Sequence, residues 1–278
     1  MRMGHLVQAD LELADGSRRF WMDSCGGRDQ VAMSLLHGGW AAYEAPLPAL
    51  VAAWCQGLHP TFLDVGANTG FYSLLAAAAG ARQVHAFEPV AEILDILRAN
   101  LASSEAGGQV LVHPLALGDQ DGAVPLYLPP SGHGLVETSA SINRTFRATH
   151  SDVREVRLAR LDAVLPPAGW DGGPVVLKLD VETHEPAVLA GARGWLDRAR
   201  PAIVCEILPG TDPAALPTLL ADSGYRHFAL APDGDPRRPV LTATPAIHAN
   251  PHQRDHVFLP AEAAESWLTQ PGIASRPA

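Results

Sequence analysis

Thr61-Phe62-Leu63-Asp64-Val65-Gly66-Ala67-Asn68-Thr69-Gly70 decides the fold. An apolar run of strand character ends beside an acid and passes through a glycine-bounded turn, after which residues from Phe71 onward have helical texture. Glycines at a strand-to-helix turn let a ligand approach the backbone, and the helix start favours a carboxylate or phosphate. Further apolar runs follow at Gln83–Phe87, Val110–His113, Val175–Val181, Ala202–Ile207 and His227–Ala231. Helical stretches at Thr69–Ala79, Ala91–Ala102, His184–Leu196 and Pro213–Ser223 separate most of them. Strands apolar on both faces and joined through helices make right-handed βαβ units. The fold class is therefore α/β: a doubly wound, mostly parallel sheet whose last strand, His256–Leu259, returns antiparallel beside Phe228–Ala231.

Outward from this core, residues 1–58 read as an appendage. A hairpin across Leu6–Met22 turns at Ala14-Asp15-Gly16-Ser17, and helices lie near Asp29–His37 and Glu44–Gln56. The core occupies residues 59–262, and residues 263–278 make a terminal helix and a tail frayed over Gln270–Ala278. Between strand-like Val124–Leu128 and Glu155–Leu158 lies Pro129–Asp152, rich in Pro, Gly, Ser and His. So long a connection reads as an inserted lid over a substrate. The formal net charge of −10 would repel a long phosphate backbone, so no nucleic-acid partner is expected. No segment approaches the roughly 20 apolar residues of a membrane helix, and no secretory signal is seen at the start. Cys25, Cys55 and Cys205 form no C-x-x-C pair, which fits a cytoplasmic protein acting on a small molecule.

The second core strand ends in Phe87-Glu88-Pro89, where Glu88 can accept both hydroxyls of a ribose. Because the glycines are spaced G-x-x-x-G rather than G-x-G-x-x-G, the turn suits S-adenosylmethionine better than a dinucleotide. Asp180 reaches the same sheet edge, with Glu182 and His184 just beyond it at the next helix start. Thr183 reads as that helix's N-cap, and Pro186 lies in its first turn. His184, kept neutral by the helix dipole, suits a general base, or else it is a helix-start residue bonded to a carbonyl. Asp180 could instead orient the cofactor's ammonium, leaving His133 or His150 of the lid to take the proton. Lys178, the one lysine among 20 basic residues, shares a strand face with Asp180. Its expected role is to neutralise buried acids, with Asp64 and Glu206 within reach. Asp180 and Glu206 could also hold Mg²⁺, but two ligands without a third weigh against it. In the lid, Thr138, Ser139, Ser141 and Asn143 offer hydrogen bonds, while Arg144 and Arg147 could meet an anionic or sugar-like acceptor.

Asp64–Tyr72, Phe87-Glu88-Pro89 and Lys178-Leu179-Asp180-Val181-Glu182-Thr183-His184-Glu185 together resemble the signature of the FkbM family of S-adenosylmethionine-dependent methyltransferases. The similarity runs from about Tyr43 to Leu259. It implies a class I methyltransferase fold, Rossmann-like with seven strands, and transfer to hydroxyls of sugars, macrolides or other secondary metabolites. It also implies that Glu44 faces the cofactor, that Asp64, Gly66, Asn68, Thr69 and Gly70 line its methionine end, and that Glu88 holds the ribose. By the same resemblance Ala116 and Leu117 would meet adenine, while the reading of the residues themselves gives Asp180, Glu182 and His184 to catalysis and His133, Ser139, Ser141 and Arg144 to the acceptor. Thr183 departs from the resemblance, standing where the family commonly has Gly. An N-methyl acceptor, an NAD-dependent oxidoreductase and a non-catalytic cofactor-binding protein remain as alternative readings.

Overall fold

Residues 5–13, 15–129, 134–136, 139–212, 215–216, 220, 223–245, 247 and 254–277 are described by the computed structural model. The chain begins with an antiparallel hairpin, β1 (Leu6–Leu13) and β2 (Gly16–Asp23), whose ladder closes at Leu13 and Gly16. Alternation puts Ala9, Leu11, Phe20 and Met22 on one buried face. Helix α1 (Gln30–Gly38) is capped by Asp29, whose carboxylate accepts from the backbone N–H groups of Val31 and Ala32. Helix α2 (Leu47–Leu58) follows. The hairpin and both helices share one apolar cluster with Phe71, Leu74 and Leu97. Polar ties reinforce the join: Asn100 accepts from the Asp23 N–H and donates to the Thr69 carbonyl.

Then come β3 (Thr61–Val65), α3 (Phe71–Ala78), β4 (Gln83–Phe87), α4 (Ala91–Ala102) and β5 (Val110–His113). Short β6 (Ala116–Leu117) and the long hairpin β7 (Gly122–Leu128) and β8 (Asp152–Ala159) form a separate three-stranded sheet. After α5 (Leu161–Val164) come β9 (Val175–Leu179), α6 (Glu185–Ala190), α7 (Arg193–Arg198) and β10 (Ala202–Glu206). The last strands are β11 (Tyr225–Pro232), β12 (Pro239–Ala243), β13 (Asp255–Pro260) and β14 (Ala274–Arg276). The main sheet has the order β14-β12-β11-β13-β10-β9-β3-β4-β5. Every residue of β3, β9 and β10 is buried, as their unbroken apolar runs require.

Three expectations change. The sheet has nine strands rather than seven, because β12 and β14 extend the edge beyond β11. The tail is accordingly not frayed throughout: Ala274–Arg276 pairs parallel with β12. The helix expected over His184–Leu196 is two, since a Cβ on Gly191 would stand 1.9 Å from the Gly118 carbonyl oxygen, and Asp162 then caps the new helix at Gly194 and Trp195. The antiparallel partner of β11 on the core side, β13, is seated between it and β10, as the return strand should be. The helix expected over Pro213–Ser223 falls largely outside the described residues, as do His133 and Thr138. Among the described residues no helix is long and apolar enough to cross a membrane.

Candidate active site

Where β3, β4 and β9 end, the chain turns away from the sheet and leaves a pocket at their carboxyl edge. Its apolar part is built from Phe87, Val90, Ile93, Leu115, Ala116 and Leu117, and is roofed by Leu126 of β7 with Ala140 and Ile142 of the lid. Glu88 borders this slot. Its Oε2 accepts from the Asn68 N–H at 3.1 Å and its Oε1 from the Val90 N–H at 2.8 Å, so each oxygen is aimed yet keeps a lone pair. Burial pushes the Glu88 carboxyl up to about 7.

The other end of the pocket is acidic. Tyr43, Glu44, Gly66 and Asp180 meet there, and Glu44 accepts from the Tyr72 hydroxyl at 2.9 Å. Burial, and then the neighbouring Asp180 charge, raise the Glu44 carboxyl, while Lys178 opposes them. Lys178 lies beneath, 3.2 Å from Asp180 Oδ2 and 3.9 Å from Asp64 Oδ1, with its Nζ 4.7 Å above the Tyr72 ring. Burial works against its ammonium, but Asp180, Asp64 and Glu44 together hold it above the ordinary lysine range.

Asp64 is a correction. Its ladder neighbour is Lys178, it is fully buried, and it accepts from Ser73 Oγ at 2.6 Å, so it underpins the site from one row inside the sheet and does not line the pocket. Thr69 and Gly70 likewise sit behind the wall, where a Cβ on Gly70 would meet Leu97. Nor does Lys178 reach Glu206; that acid is paired with Arg254, which enters from the start of β13. Among the described residues no group of three His, Cys, Asp or Glu side chains is placed to hold a metal ion.

Beyond Asp180 the turn 181–184 is held by Glu185, whose Oε1 accepts from the N–H groups of Val181 and Thr183. Thr183 therefore does not act as the N-cap. That position falls to His184, and the Thr183 hydroxyl accepts from Asn143 Nδ2 of the lid at 2.8 Å. The turn places Glu182 and Thr183 at φ 54° and 78°, and a β-branched residue in that region explains why a glycine suits the position. Burial pushes the Glu182 carboxyl up to about 7, with Asp180 adding to the effect and Arg147 opposing it. His184 is lowered by burial, with the Asp119 charge opposing, and its buried Nε2 has no partner among the described residues. Both line the pocket, as does Ser139.

The remaining acceptor candidates do not converge there. Ser141 is a fastener: its hydroxyl donates to the Glu182 carbonyl at 2.7 Å, and its backbone pairs with Tyr127. Arg144 is exposed and outside the pocket wall, and its carbonyl is bonded by the His150 ring, so neither reaches the reacting end. Conversely, Phe87, Leu115, Ile93, Leu126, Ile142 and Arg254 line the pocket without having been singled out. The apolar ones read as core, and Arg254 lies in a stretch with no pattern of its own.

Four acids, Glu88, Glu182, Glu185 and Asp255, are pushed up to about 7, each first by burial. A carboxyl raised on folding stabilises the protein below its unfolded pKa and loses that contribution as pH rises through the folded value. The lowered histidines His85, His113 and His184 act oppositely, but only below about 6.5. The ligand-free protein should therefore melt at a lower temperature at pH 8 than at pH 6.5. Scanning calorimetry at the two values checks this, and Glu185→Gln should shrink the difference.

Read from β5, the order β5-β4-β3-β9-β10-β13-β11, with one reversed strand and a pocket at the carboxyl edge, defines a Rossmann-like class I methyltransferase fold. The profile of the methyltransferase FkbM domain matches residues 64–227, more than half of the sequence. The chain belongs to the FkbM methyltransferase family. Among solved structures it is similar to a methyltransferase FkbM of Methylobacillus flagellatus KT, at 16% identity over 82% of this chain and 52% of that one, with a TM-score of 0.48. It thus spans about half the length of that protein. An O-methyltransferase of Bacillus cereus in complex with SAH gives 11% identity over 76% and 79% of the two chains, with a TM-score of 0.42. Fibrillarin of Aeropyrum pernix with bound S-adenosyl-L-methionine gives 14% over 92% and 99%, with a TM-score of 0.43. Among the curated proteins, none matches.

Proposed function

We propose that this chain uses S-adenosylmethionine to methylate an oxygen of a small hydroxylated metabolite or glycoside. The observation that carries the reading is the order of chemistry along one pocket: an apolar slot, then the aimed Glu88 carboxylate, then the acids Glu44 and Asp180. That order suits an adenine, a ribose and an ammonium in turn. The glycines favour the same reading over a dinucleotide, because Gly66 and Gly70 are packed from within by the Asp180 carbonyl and Leu97 rather than opened as a pyrophosphate cradle.

When bound, the cofactor supplies an electrophilic methyl group. Phe87, Leu115 and Leu117 exclude water from the adenine, Glu88 accepts from the ribose hydroxyls, and Asp180, steadied by Lys178, orients the amino group. An acceptor hydroxyl must lose its proton as the new bond forms. His184 takes that role, its ring lining the pocket and burial favouring its neutral form, while Ser139 and Ile142 of the lid border the acceptor.

Calorimetric titration of the whole chain should show binding of S-adenosylhomocysteine and none of NADH; the reverse preference would overturn the proposal. Labelled methyl donor incubated with a host extract then identifies the acceptor by mass. With it in hand, His184→Ala should lower kcat about 10²- to 10⁴-fold, the usual range for a lost base, with S-adenosylhomocysteine affinity held within about threefold. Because burial lowers His184, the acid-side fall in kcat/KM should come below the ordinary histidine range. An acid limb at about 7 that disappears in Glu182→Gln would move the role to Glu182.

A further inference from the structure

The pocket wall contains Glu44, Glu88, Asp180 and Glu182, and one permanent cation among its described residues, Arg254. Arg254 lies outside the residues the family profile matches. Its guanidinium is anchored through Nη2 to Glu206, a carboxylate only 7% exposed, while its own side chain is 47% exposed. A guanidinium has five N–H donors, so the anchor fixes its direction and leaves donors for a second anion.

The ladders say which end of the pocket it serves. Glu206 pairs with Asp255 across to β13, and Cys205 pairs with Leu179, so Arg254 and Glu206 stand beside the strand end that delivers Asp180. Asp255, next in the chain, is close enough to Glu44 and Asp180 to feel both charges. Arg254 is therefore at the acidic end.

Resting on the cofactor reading above, we propose that Arg254, braced by Glu206, binds the carboxylate of the cofactor's amino-acid end. Glu44 and Asp180 are suited to an ammonium and repel the carboxylate attached to the same carbon. A zwitterion lodges among them more readily where a cation receives its other half, and Arg254 is placed to do so. Glu206 thus serves cofactor recognition at one remove, by holding the fork in place. The planar fork matches a carboxylate in two-point geometry, which a lysine would not reproduce.

The test compares two nucleosides by calorimetry on the full chain. S-adenosylhomocysteine carries the amino-acid end, and 5′-methylthioadenosine shares the adenine, ribose and thioether but lacks it. Arg254→Gln should weaken S-adenosylhomocysteine about 10- to 100-fold, as loss of a charge-assisted contact does, and leave methylthioadenosine within about twofold. Since Arg254→Gln leaves Glu206 buried and unpaired, the Glu206→Gln/Arg254→Gln double variant is measured too and should show the same split. Equal weakening of both nucleosides in both variants would overturn the proposal, because Arg254 would then only brace the strand ends. Unchanged S-adenosylhomocysteine binding would overturn it as well, including the case in which the guanidinium serves an acceptor's carboxylate. A wild-type protein that binds neither nucleoside refutes the cofactor reading itself, a failure distinct from either of these.

Discussion

Gly66→Ala is expected to abolish measurable S-adenosylhomocysteine binding and to lower the melting temperature. Gly66 has φ 82°, a region that strains any residue with a Cβ. A Cβ built there stands 1.9 Å from the Asp180 carbonyl oxygen and 2.9 Å from its carbon, both backbone atoms. Neither side can yield easily. The Gly66 N–H is bonded to the Phe87 carbonyl, and the Asp180 N–H to the Val65 carbonyl, so the turn and the strand end are pinned to the same sheet edge. Overpacking of this kind costs about 1–3 kcal/mol, and the left-handed backbone adds about 1 kcal/mol more. The displacement also moves Asp180 itself, so affinity should fall by more than about 100-fold, the equivalent of about 2.7 kcal/mol. Gly70→Ala is the control: its Cβ would meet the flexible end of Leu97 at 2.7 Å, and the loss of affinity should be smaller. Thermal melts and calorimetry on the two variants decide it, and wild-type affinity in Gly66→Ala would contradict the geometry.

Lys178→Met should cost about 3–5 kcal/mol of stability, the usual penalty for stripping one partner from a buried ion pair. Lys178 is 2% exposed, and Asp64 is wholly buried with Oδ1 lacking any hydrogen bond. Without the ammonium, Asp64 keeps its hydrogen bonds from Ser73 but no cation, and Asp180 loses its 3.2 Å contact. In a chain of this length the melting temperature should drop on the order of 10 °C. The deficit should shrink towards pH 5, because burial already raises the Asp64 carboxyl and a protonated acid no longer needs the cation. Denaturant titration measures the loss, and Lys178→Met/Asp64→Asn should recover part of it. A wild-type stability in Lys178→Met would show that the cluster is not electrostatically coupled.

How far the sequence could be read follows from how each residue meets its surroundings. Parallel strands covered on both faces are continuous apolar runs, which is why β3, β4 and β10 were visible nearly to their ends, and why Ala91–Ala102 stood out by helical spacing. Strands β12 and β14 carry no such run: the first starts at Pro239 and the second is fully exposed, so their pairing depends on neighbours far along the chain. In the site, Glu88, Asp180, Glu182 and His184 follow strand ends, where topology alone brings chemistry to one edge. Asp64 misled because a strand residue's depth depends on register, and its ladder partner is the buried Lys178. Arg254 and the lid's Ser141 had no local pattern, since their partners, Glu206 and the Glu182 carbonyl, are distant in sequence.

Ser141 and Asn143 hook the lid onto the Glu182 carbonyl and the Thr183 hydroxyl, while other lid residues cover the apolar slot. On the proposed reading, raising that cover to exchange a spent nucleoside would pull on the segment that presents Glu182 and His184. Under the proposed mechanism, donor turnover and disassembly of the reaction centre would then be a single mechanical event.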